Sequence, residues 1–215
     1  GLIAGSVVGA ALLLAGWFWP VHSFHTTSTV SRLDAFMPAY NFQERHEISI
    51  QAPPERVREA LDHVSFADIG AMQTLGKIRA LAMRQRVQTN TKGAAPAKPF
   101  LEMVRDPRSG FFPLDDTPRE VVFGIAGQPW SDRAVRLRPG EFREWAPPEN
   151  IKVAGNFLIE DAGNGCSRVI TETRIAAPDE SGRRKMGRYW ALVYPGSGMV
   201  RRSLLKVIRE RAELP

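Results

Sequence analysis

The sequence predicts an α+β domain that follows an apolar N-terminal helix. Residues 1–20 contain no charged side chain and are predominantly apolar. Apolar residues then alternate with a period of two, as in β-strands, through much of residues 100–176, and helical spacing returns over residues 184–211. The predicted order is one strand, two helices, several antiparallel strands and a long terminal helix.

Residues 1–20 are predicted to form a transmembrane helix. About 20 apolar residues match the hydrocarbon thickness of a bilayer, where a lone segment satisfies its own backbone only as a helix. Trp17, Phe18 and Trp19 suit the headgroup level, and Pro20 ends the helix. A cleaved signal peptide is the alternative, although no small-residue cleavage site follows Pro20. The chain is therefore predicted to be a single-pass membrane protein.

Two glycines give this helix a smooth face. Gly5 and Gly9 form a Gly-x-x-x-Gly step, on which another membrane helix can pack closely. The partners predicted for this segment are the lipid bilayer and other transmembrane subunits. Arg32 and Asp34, the first charges after the helix, nearly cancel. The lack of positive charge there favours a soluble domain on the periplasmic or extracytoplasmic side.

Composition narrows the role of the remaining chain. Residues 21–41 show no clear period and are predicted to be a juxtamembrane tether, which leaves residues 42–215 as the third domain. The formal net charge of +6 arises entirely after residue 31, but the basic residues are scattered and are not interleaved with exposed aromatics. That pattern argues against a nucleic-acid partner. A hydrophobic content of 43% is typical of a folded domain.

Few groups are suited to catalysis. The four histidines, His22, His25, His46 and His63, have no visible catalytic partner, and Cys166 lacks a neighbouring histidine that would activate it. A metal site at His22 and His25 would need further ligands that the nearby sequence does not supply. We therefore predict no catalytic residue, no metal and no cofactor.

Local spacing predicts the elements of the domain. Alternation of His46, Ile48 and Ile50 predicts a strand that ends at Pro53 and is followed by a helix over residues 54–64. Later predictions, in chain order, are a helix over 66–84, a flexible insertion over 88–98, strands at 121–125, 142–145, 151–159 and 167–176, a hairpin turn at 161–165, and a terminal helix over 184–211 interrupted at Pro195–Gly198.

The terminal helix is predicted to be amphipathic. One face, which would pack on the sheet, is apolar and contains Val200, Leu204, Val207 and Ile208. The other face is basic and contains Arg201, Arg202, Lys206 and Arg209. We predict that this basic face is an ordinary solvated surface, with contact to anionic lipid as the alternative.

The run Ile48-Ser49-Ile50-Gln51-Ala52-Pro53-Pro54-Glu55-Arg56-Val57, with the later Thr171-Glu172-Thr173-Arg174 and the closing helix, resembles the START-like superfamily, which includes Bet v 1 and polyketide cyclases. The resemblance covers roughly residues 42–213 and implies a helix-grip fold, in which a curved antiparallel sheet wraps a long C-terminal helix around an apolar cavity. The apolar N-terminal helix resembles that of membrane-anchored members. The same fold serves carriers, receptors and cyclases, so no single function follows from it.

The predicted function is non-catalytic binding of an apolar small molecule or lipid by a membrane-anchored START-like domain. The residues that a helix-grip fold could direct into its cavity are Phe112, Phe123, Trp145, Phe157, Tyr189, Trp190 and Val193. Simple core packing is the other interpretation of these side chains. Two further functions stay open. One is an accessory or structural subunit of a larger integral-membrane complex, such as a respiratory or photosynthetic assembly, and the other is a cyclase-like enzyme.

Overall fold

The computed structural model describes residues 24–26, 30–69, 98–131 and 133–214. The predicted transmembrane helix, with Gly5 and Gly9, lies outside these residues, as do most of the predicted 66–84 helix and most of the 88–98 insertion. Within the described ranges, no helix is both long enough and apolar enough to cross a bilayer. The transmembrane helix stays a prediction.

The described residues form five α-helices, one short 3-10 helix and eight strands. The helices are α1 (Arg32–Phe36), α2 (Pro54–His63), α3 (Phe100–Arg105), α4 (Pro139–Phe142) and α5 (Glu180–Ala212), with a short 3-10 helix at Phe66–Asp68. The strands are β1 (Phe24–His25), β2 (Ala39–Tyr40), β3 (Phe42–Ile50), β4 (Phe112–Asp116), β5 (Glu120–Gln128), β6 (Arg133–Val135), β7 (Ile151–Gly163) and β8 (Cys166–Ala176).

One antiparallel sheet organises the domain. In the described part of the chain it has six strands, in the order β3-β8-β7-β5-β4, with β6 paired to β5. The predicted hairpin turn between β7 and β8 is confirmed, since Gly163, Asn164 and Gly165 all have positive φ. The α+β class and the alternating strands β3, β5, β7 and β8 are confirmed as well.

The long helix α5 packs on one face of this sheet, which we call the inner face. Val200, Leu204 and Ile208 of α5 join Phe123 and Phe157 of the sheet in the largest apolar cluster, and helices α2 and α3 complete it. Burial of this apolar surface is the main stabilising contribution to the domain. A long terminal helix held against an antiparallel sheet agrees with the helix-grip expectation.

The predicted tether differs from the structure over residues 31–41. Leu33, Met37 and Tyr40 are buried on the outer face of the sheet, opposite α5. Ser31 caps α1 in a capping box with Asp34. The segment therefore belongs to the folded domain, because its apolar side chains cover a sheet face that would otherwise contact water.

A carboxylate of the sheet fixes the start of α1. Glu120 accepts hydrogen bonds from Ser31 Oγ at 2.6 Å, from the Arg32 backbone N–H at 2.7 Å and from Asn156 Nδ2 at 2.7 Å. Backbone N–H groups at the first turn of a helix lack intrahelical partners, so a buried anion placed there is stabilising.

The predicted strand over residues 142–145 is not observed, and the region of period-two alternation begins with a helix at Phe100. Phe142 ends helix α4, whose start is fixed by Pro139 and by contacts between Arg138 and Glu141. Phe100–Arg105 forms α3 because Phe100, Leu101 and Val104 share one buried side, which is the spacing of a helix. The predicted interruption of the terminal helix is wrong at the level of secondary structure, because α5 continues through Pro195.

Candidate ligand-binding site

The inner face of the sheet carries a polar patch between two apolar clusters. Strand register aligns Glu44 of β3 with Thr173 of β8, Thr173 with Gly155 of β7, and Gly155 with Phe123 of β5. The next row contains His46, Thr171, Phe157 and Val121. The β3–β8 side of both rows is therefore polar and the β7–β5 side is aromatic or apolar.

Glu44 is the centre of the polar side. Its side chain is 1% exposed, yet it is ionisable, so it needs partners. His46 Nε2 lies 2.9 Å from Oε1, and Ser197 Oγ of α5 donates to Oε2 at 2.7 Å. These contacts attach the middle of α5 to strand β3.

Arg201 lies on the same inner face, although the pattern of charges along α5 predicts it on the solvated side. Its Nη1 donates to Thr171 Oγ1 at 3.1 Å, and its Nε lies 3.5 Å from Glu44 Oε2. Burial lowers the pKa of the Arg201 guanidinium, and the Glu44 carboxylate opposes that shift. The prediction of a solvated position is wrong because Arg201 shares the helical face of Leu204 and Ile208, where its charge is compensated by the buried Glu44.

Two buried polar atoms of this cluster have no hydrogen-bond partner. They are Thr173 Oγ1 and Arg201 Nε. Thr173 is 3% exposed, so water from the surface does not readily replace the missing partner. A buried donor without an acceptor costs about 1 to 3 kcal/mol, and such atoms are uncommon in folded proteins. Both atoms are able to donate to an oxygen of a bound molecule.

Glycines in α5 allow the helix to approach Glu44. A Cβ added to Gly198 would lie 3.0 Å from Glu44 Oε1 and 3.4 Å from Arg202 Nη1. The same part of the helix contains Pro195, which has no backbone N–H to donate to the preceding turn. The sequence that interrupts the apolar pattern of α5 is therefore the one that accommodates the polar cluster.

The aromatic side of the site is formed by four phenylalanines. Phe100 lies with its ring centroid 5.2 Å from that of Phe123 and 5.7 Å from that of Phe157, and Phe111 lies 5.8 Å from Phe123. A Cβ added to Gly155 would lie 2.6 Å from Phe123 Cζ and 3.3 Å from Thr173 Oγ1. The glycine thus brings the aromatic rings up to the unpartnered hydroxyl.

The seven predicted lining residues divide among three apolar clusters. Phe123 and Phe157 lie at the site described above. Phe112 and Trp145 are instead on the outer face, because Phe112 pairs with Gly124 and points with it away from α5. The remaining three, Tyr189, Trp190 and Val193, belong to the N-terminal half of α5 itself and lie in a third cluster. The structure therefore brings two of the seven together with the polar cluster.

Most polar residues of the site were not predicted from the sequence. The predicted lining does not include Glu44, Thr173, Ser197 or Arg201, and the sequence alone predicts no role for His46 beyond its place in a strand. A signal existed in β3, because Glu44 and His46 fall on the same face as Ile48 and Ile50 in a period of two. In the described ranges, no group of three or more histidine, cysteine or acidic side chains is placed to hold a metal ion.

Comparison with known proteins gives structural similarity alone, since no family model and no curated protein matches the chain. A hypothetical protein from Helicobacter pylori is similar with a TM-score of 0.40 and 10% identity, over 88% of this chain and 99% of that one. The di-domain ARO/CYC protein BexL has a TM-score of 0.34 and 13% identity, over 80% and 47%. The Zhui aromatase/cyclase from Streptomyces has a TM-score of 0.30 and 11% identity, over 80% and 93%.

Proposed function

We propose that this domain binds an apolar small molecule between the sheet and α5, without performing chemistry on it. The observation that carries the proposal is the pair of buried polar atoms that make no hydrogen bond, Thr173 Oγ1 and Arg201 Nε, beside a cluster of phenylalanine rings. Small-molecule sites are mostly apolar with a few polar groups that fix the orientation of the ligand. The inner face has that composition.

The contacts of the titratable side chains favour binding over catalysis. Glu44 is engaged by His46 and Ser197, and Arg201 lies beside it. A general base needs to reach a proton of its substrate, whereas these groups contact one another. The atoms without partners are donors, which are suited to holding an oxygen of a ligand in place.

The test is to identify what the purified protein retains and to ask whether Thr173 holds it. The full chain is extracted in mild detergent, and bound small molecules are identified by mass spectrometry after organic extraction. Thr173→Val keeps the shape of the side chain and removes the hydroxyl. We expect it to weaken ligand affinity about fivefold, which corresponds to one hydrogen bond of about 1 kcal/mol.

Ser49→Ala is the control, because it removes an exposed hydroxyl from the opposite face of β3. It should retain the wild-type ligand and affinity. Equal affinity in wild type and Thr173→Val would contradict the proposed site. Conversion of the bound compound by the wild-type protein would contradict the non-catalytic role and favour a cyclase-like enzyme. A stoichiometric polypeptide in place of a small molecule would favour an accessory subunit.

The membrane anchor is a second part of the proposal. Its support is the uncharged, apolar sequence of residues 1–20. The full chain should stay in the membrane pellet after washing with alkaline carbonate, which releases peripheral proteins. Replacing Leu12 and Leu13 with lysine should move the chain to the supernatant, because charges near the centre of a membrane helix oppose its insertion. Release of the wild-type chain by carbonate would contradict the anchor.

A further inference from the structure

The chain enters the domain at one end of the sheet. Antiparallel pairing brings Phe42 of β3 beside Ile175 of β8, and Gly127 of β5 beside Ile151 of β7. Because β7 and β8 pair as well, these four residues mark a single end of the sheet, which we call the entry end. The β7–β8 turn lies at the opposite end.

The predicted membrane helix ends within a short distance of the entry end. Strand β2 ends two residues before Phe42 and pairs with β1, and Phe24 of β1 stacks on Tyr40 of β2 with the ring centroids 5.4 Å apart. Pro20 precedes Phe24 by four residues, which span at most about 14 Å. The headgroup region on each side of a bilayer is itself about 5 to 8 Å thick. The entry end is therefore within reach of the lipid headgroups.

Tryptophan and tyrosine are concentrated at this end of the domain. Beyond the predicted membrane helix the chain has three of each, and the structure describes them all. They are Tyr40 in β2, Trp130 after β5, Trp145 before β7, and Tyr189, Trp190 and Tyr194 in the first half of α5. Among the described residues, neither type occurs near the β7–β8 turn.

Contacts within the domain agree with this placement. The apolar cluster that contains Phe42, Ile151 and Ile175 also contains Trp130, Tyr189 and Trp190. The ring of Tyr194 lies 5.4 Å from that of Trp190 and is 37% exposed, and Phe24 is 40% exposed. Tryptophan and tyrosine are enriched at membrane–water interfaces, because their rings are apolar and their N–H or O–H groups reach polar partners.

We propose that the entry end of the sheet lies against the bilayer surface, with its tryptophan and tyrosine side chains at the level of the lipid headgroups. This inference rests on the membrane anchor proposed above and adds the orientation of the domain. Lipid is the partner, because the chain itself brings this end to the membrane. The strands then extend away from the bilayer, and the β7–β8 turn is farthest from it, since Ile151 and Asp161 of β7 are about 33 Å apart.

The experiment measures how close each end of β7 lies to lipid. Ala146 precedes β7 and Ala162 lies next to its last residue, and both are exposed. Ala146→Cys and Ala162→Cys, each combined with Cys166→Ser, give the full chain one matched position at each end for a nitrobenzoxadiazole fluorophore. The labelled chain is reconstituted in phosphatidylcholine nanodiscs, with or without a lipid that carries a nitroxide quencher on its headgroup.

The two labels should respond differently to the quencher. We expect a loss of about half of the fluorescence at position 146 and of less than about a tenth at position 162, because the length of β7 separates them. Weak quenching at both positions, in a chain that resists alkaline carbonate, would overturn the orientation and leave the anchor standing. Strong quenching at both would mean that the sheet lies flat on the bilayer, which also overturns it. Release of the chain by carbonate would contradict the anchor and the orientation together.

A longer tether separates binding to lipid from proximity alone. Inserting a flexible segment of about 20 glycine and serine residues between Pro20 and Val21 lets the domain move about 25 Å from the bilayer. Quenching at position 146 should fall by less than about twofold, because even weak binding is maintained when a tether keeps the effective concentration near millimolar. A fall to the value at position 162 would show that the short tether alone holds the domain at the surface, and would overturn the proposed contact with lipid.

Discussion

Two arginines are buried on opposite faces of the sheet, and they differ in how completely their nitrogens are used. Arg174, on the outer face, contacts Glu172 through Nε at 2.5 Å and Asp34 through Nη2 at 2.7 Å, and Nη1 donates to the Met37 carbonyl at 3.0 Å. Arg201, on the inner face, donates through Nη1 to Thr171, and its Nε lies 3.5 Å from Glu44 Oε2 as an ion pair without a hydrogen bond.

The pKa values of the two guanidinium groups shift in opposite directions, because the number of neighbouring carboxylates differs. Burial by itself lowers the pKa of Arg174, but Glu172 and Asp34 outweigh burial and raise it. Burial also lowers the pKa of Arg201, and Glu44 alone does not compensate. Two carboxylates compensate the buried charge of Arg174, whereas one compensates that of Arg201 at a longer distance. The comparison distinguishes a well-compensated structural cluster from a candidate site whose cation is less well compensated.

The largest expected effect tests the structural side of this comparison. Arg174→Met should lower the free energy of unfolding by about 3 to 5 kcal/mol, because it leaves Glu172 and Asp34 buried without their cation. Urea unfolding followed by circular dichroism measures the change. Arg168→Met is the control on the same strand, where Arg168 pairs with Glu160 at the surface, and it should cost no more than about 1 kcal/mol. Equal losses in the two variants would contradict the structural role of Arg174.

A pair of glycine substitutions separates stability from binding. Gly155→Ala places a Cβ 2.6 Å from Phe123 on the inner face, and Gly124→Ala places one 2.5 Å from Phe112 on the outer face. Both should destabilise the domain by about 1 to 3 kcal/mol through overpacking. Only Gly155→Ala should also weaken ligand binding, because it displaces a ring beside Thr173. Titration of the two variants at a temperature where both are folded measures this, and equal weakening would place the ligand elsewhere.

The strands could be predicted because the alternation of inward and outward residues is visible within each short stretch of sequence. β3, β7 and β8 each show an inward period of two, which the register of the sheet reproduces. Helices α1 and α4 are too short to show a helical period. Their starts depend on capping contacts, such as that of Ser31 with Asp34, whose spacing of three residues is visible in the sequence.

The polar cluster was less predictable because its members meet only in the folded chain. The inward position of Glu44 follows from the alternation of β3. The inward position of Arg201 agrees with helical spacing, since Leu204, Leu205 and Ile208, which lie three, four and seven residues further on, are all buried. Its charge was what predicted a solvated position. The carboxylate that compensates this charge is supplied by a distant strand, which the local sequence does not reveal.

A smaller effect sharpens the same comparison within one strand. Thr173 and Ser167 both lie on the inner side of β8, but Ser167 Oγ donates to the Ala52 carbonyl at 2.7 Å whereas Thr173 Oγ1 has no partner. Ser167→Ala should therefore cost about 1 kcal/mol of stability. Thr173→Val should cost nothing or should stabilise the ligand-free domain, since it removes an unpaired polar atom. Thermal unfolding of ligand-free protein measures both, and a loss in Thr173→Val equal to that in Ser167→Ala would mean that its hydroxyl is paired.

The smallest expected effect concerns Asp68, a carboxylate that is partly exposed to solvent. Asp68 accepts from the Ser65 backbone N–H and pairs with Arg211 of α5 at 2.8 Å. The hydrogen bond from Ser65, followed by Arg211, lowers the pKa of Asp68 below its value of about 3.9 in an unfolded chain. A lowered folded-state pKa means that the carboxylate contributes stability above about pH 4, and that this contribution is lost as the pH falls through the folded-state value.

Asp68→Asn should therefore lower stability at pH 7 by less than about 1 kcal/mol, because the pair is solvated, and should reduce the loss of stability between about pH 5 and pH 2. Urea unfolding at a series of pH values measures the slope. Glu102→Gln, at an exposed position on α3, is the control and should leave the slope nearly unchanged. If Asp68→Asn had the same slope as the wild type, the carboxylate would not couple α5 to the Ser65 turn. Partial exposure to solvent would then be enough to cancel the stabilisation from the Asp68–Arg211 ion pair, whereas loss of the buried Arg174 is expected to be strongly destabilising.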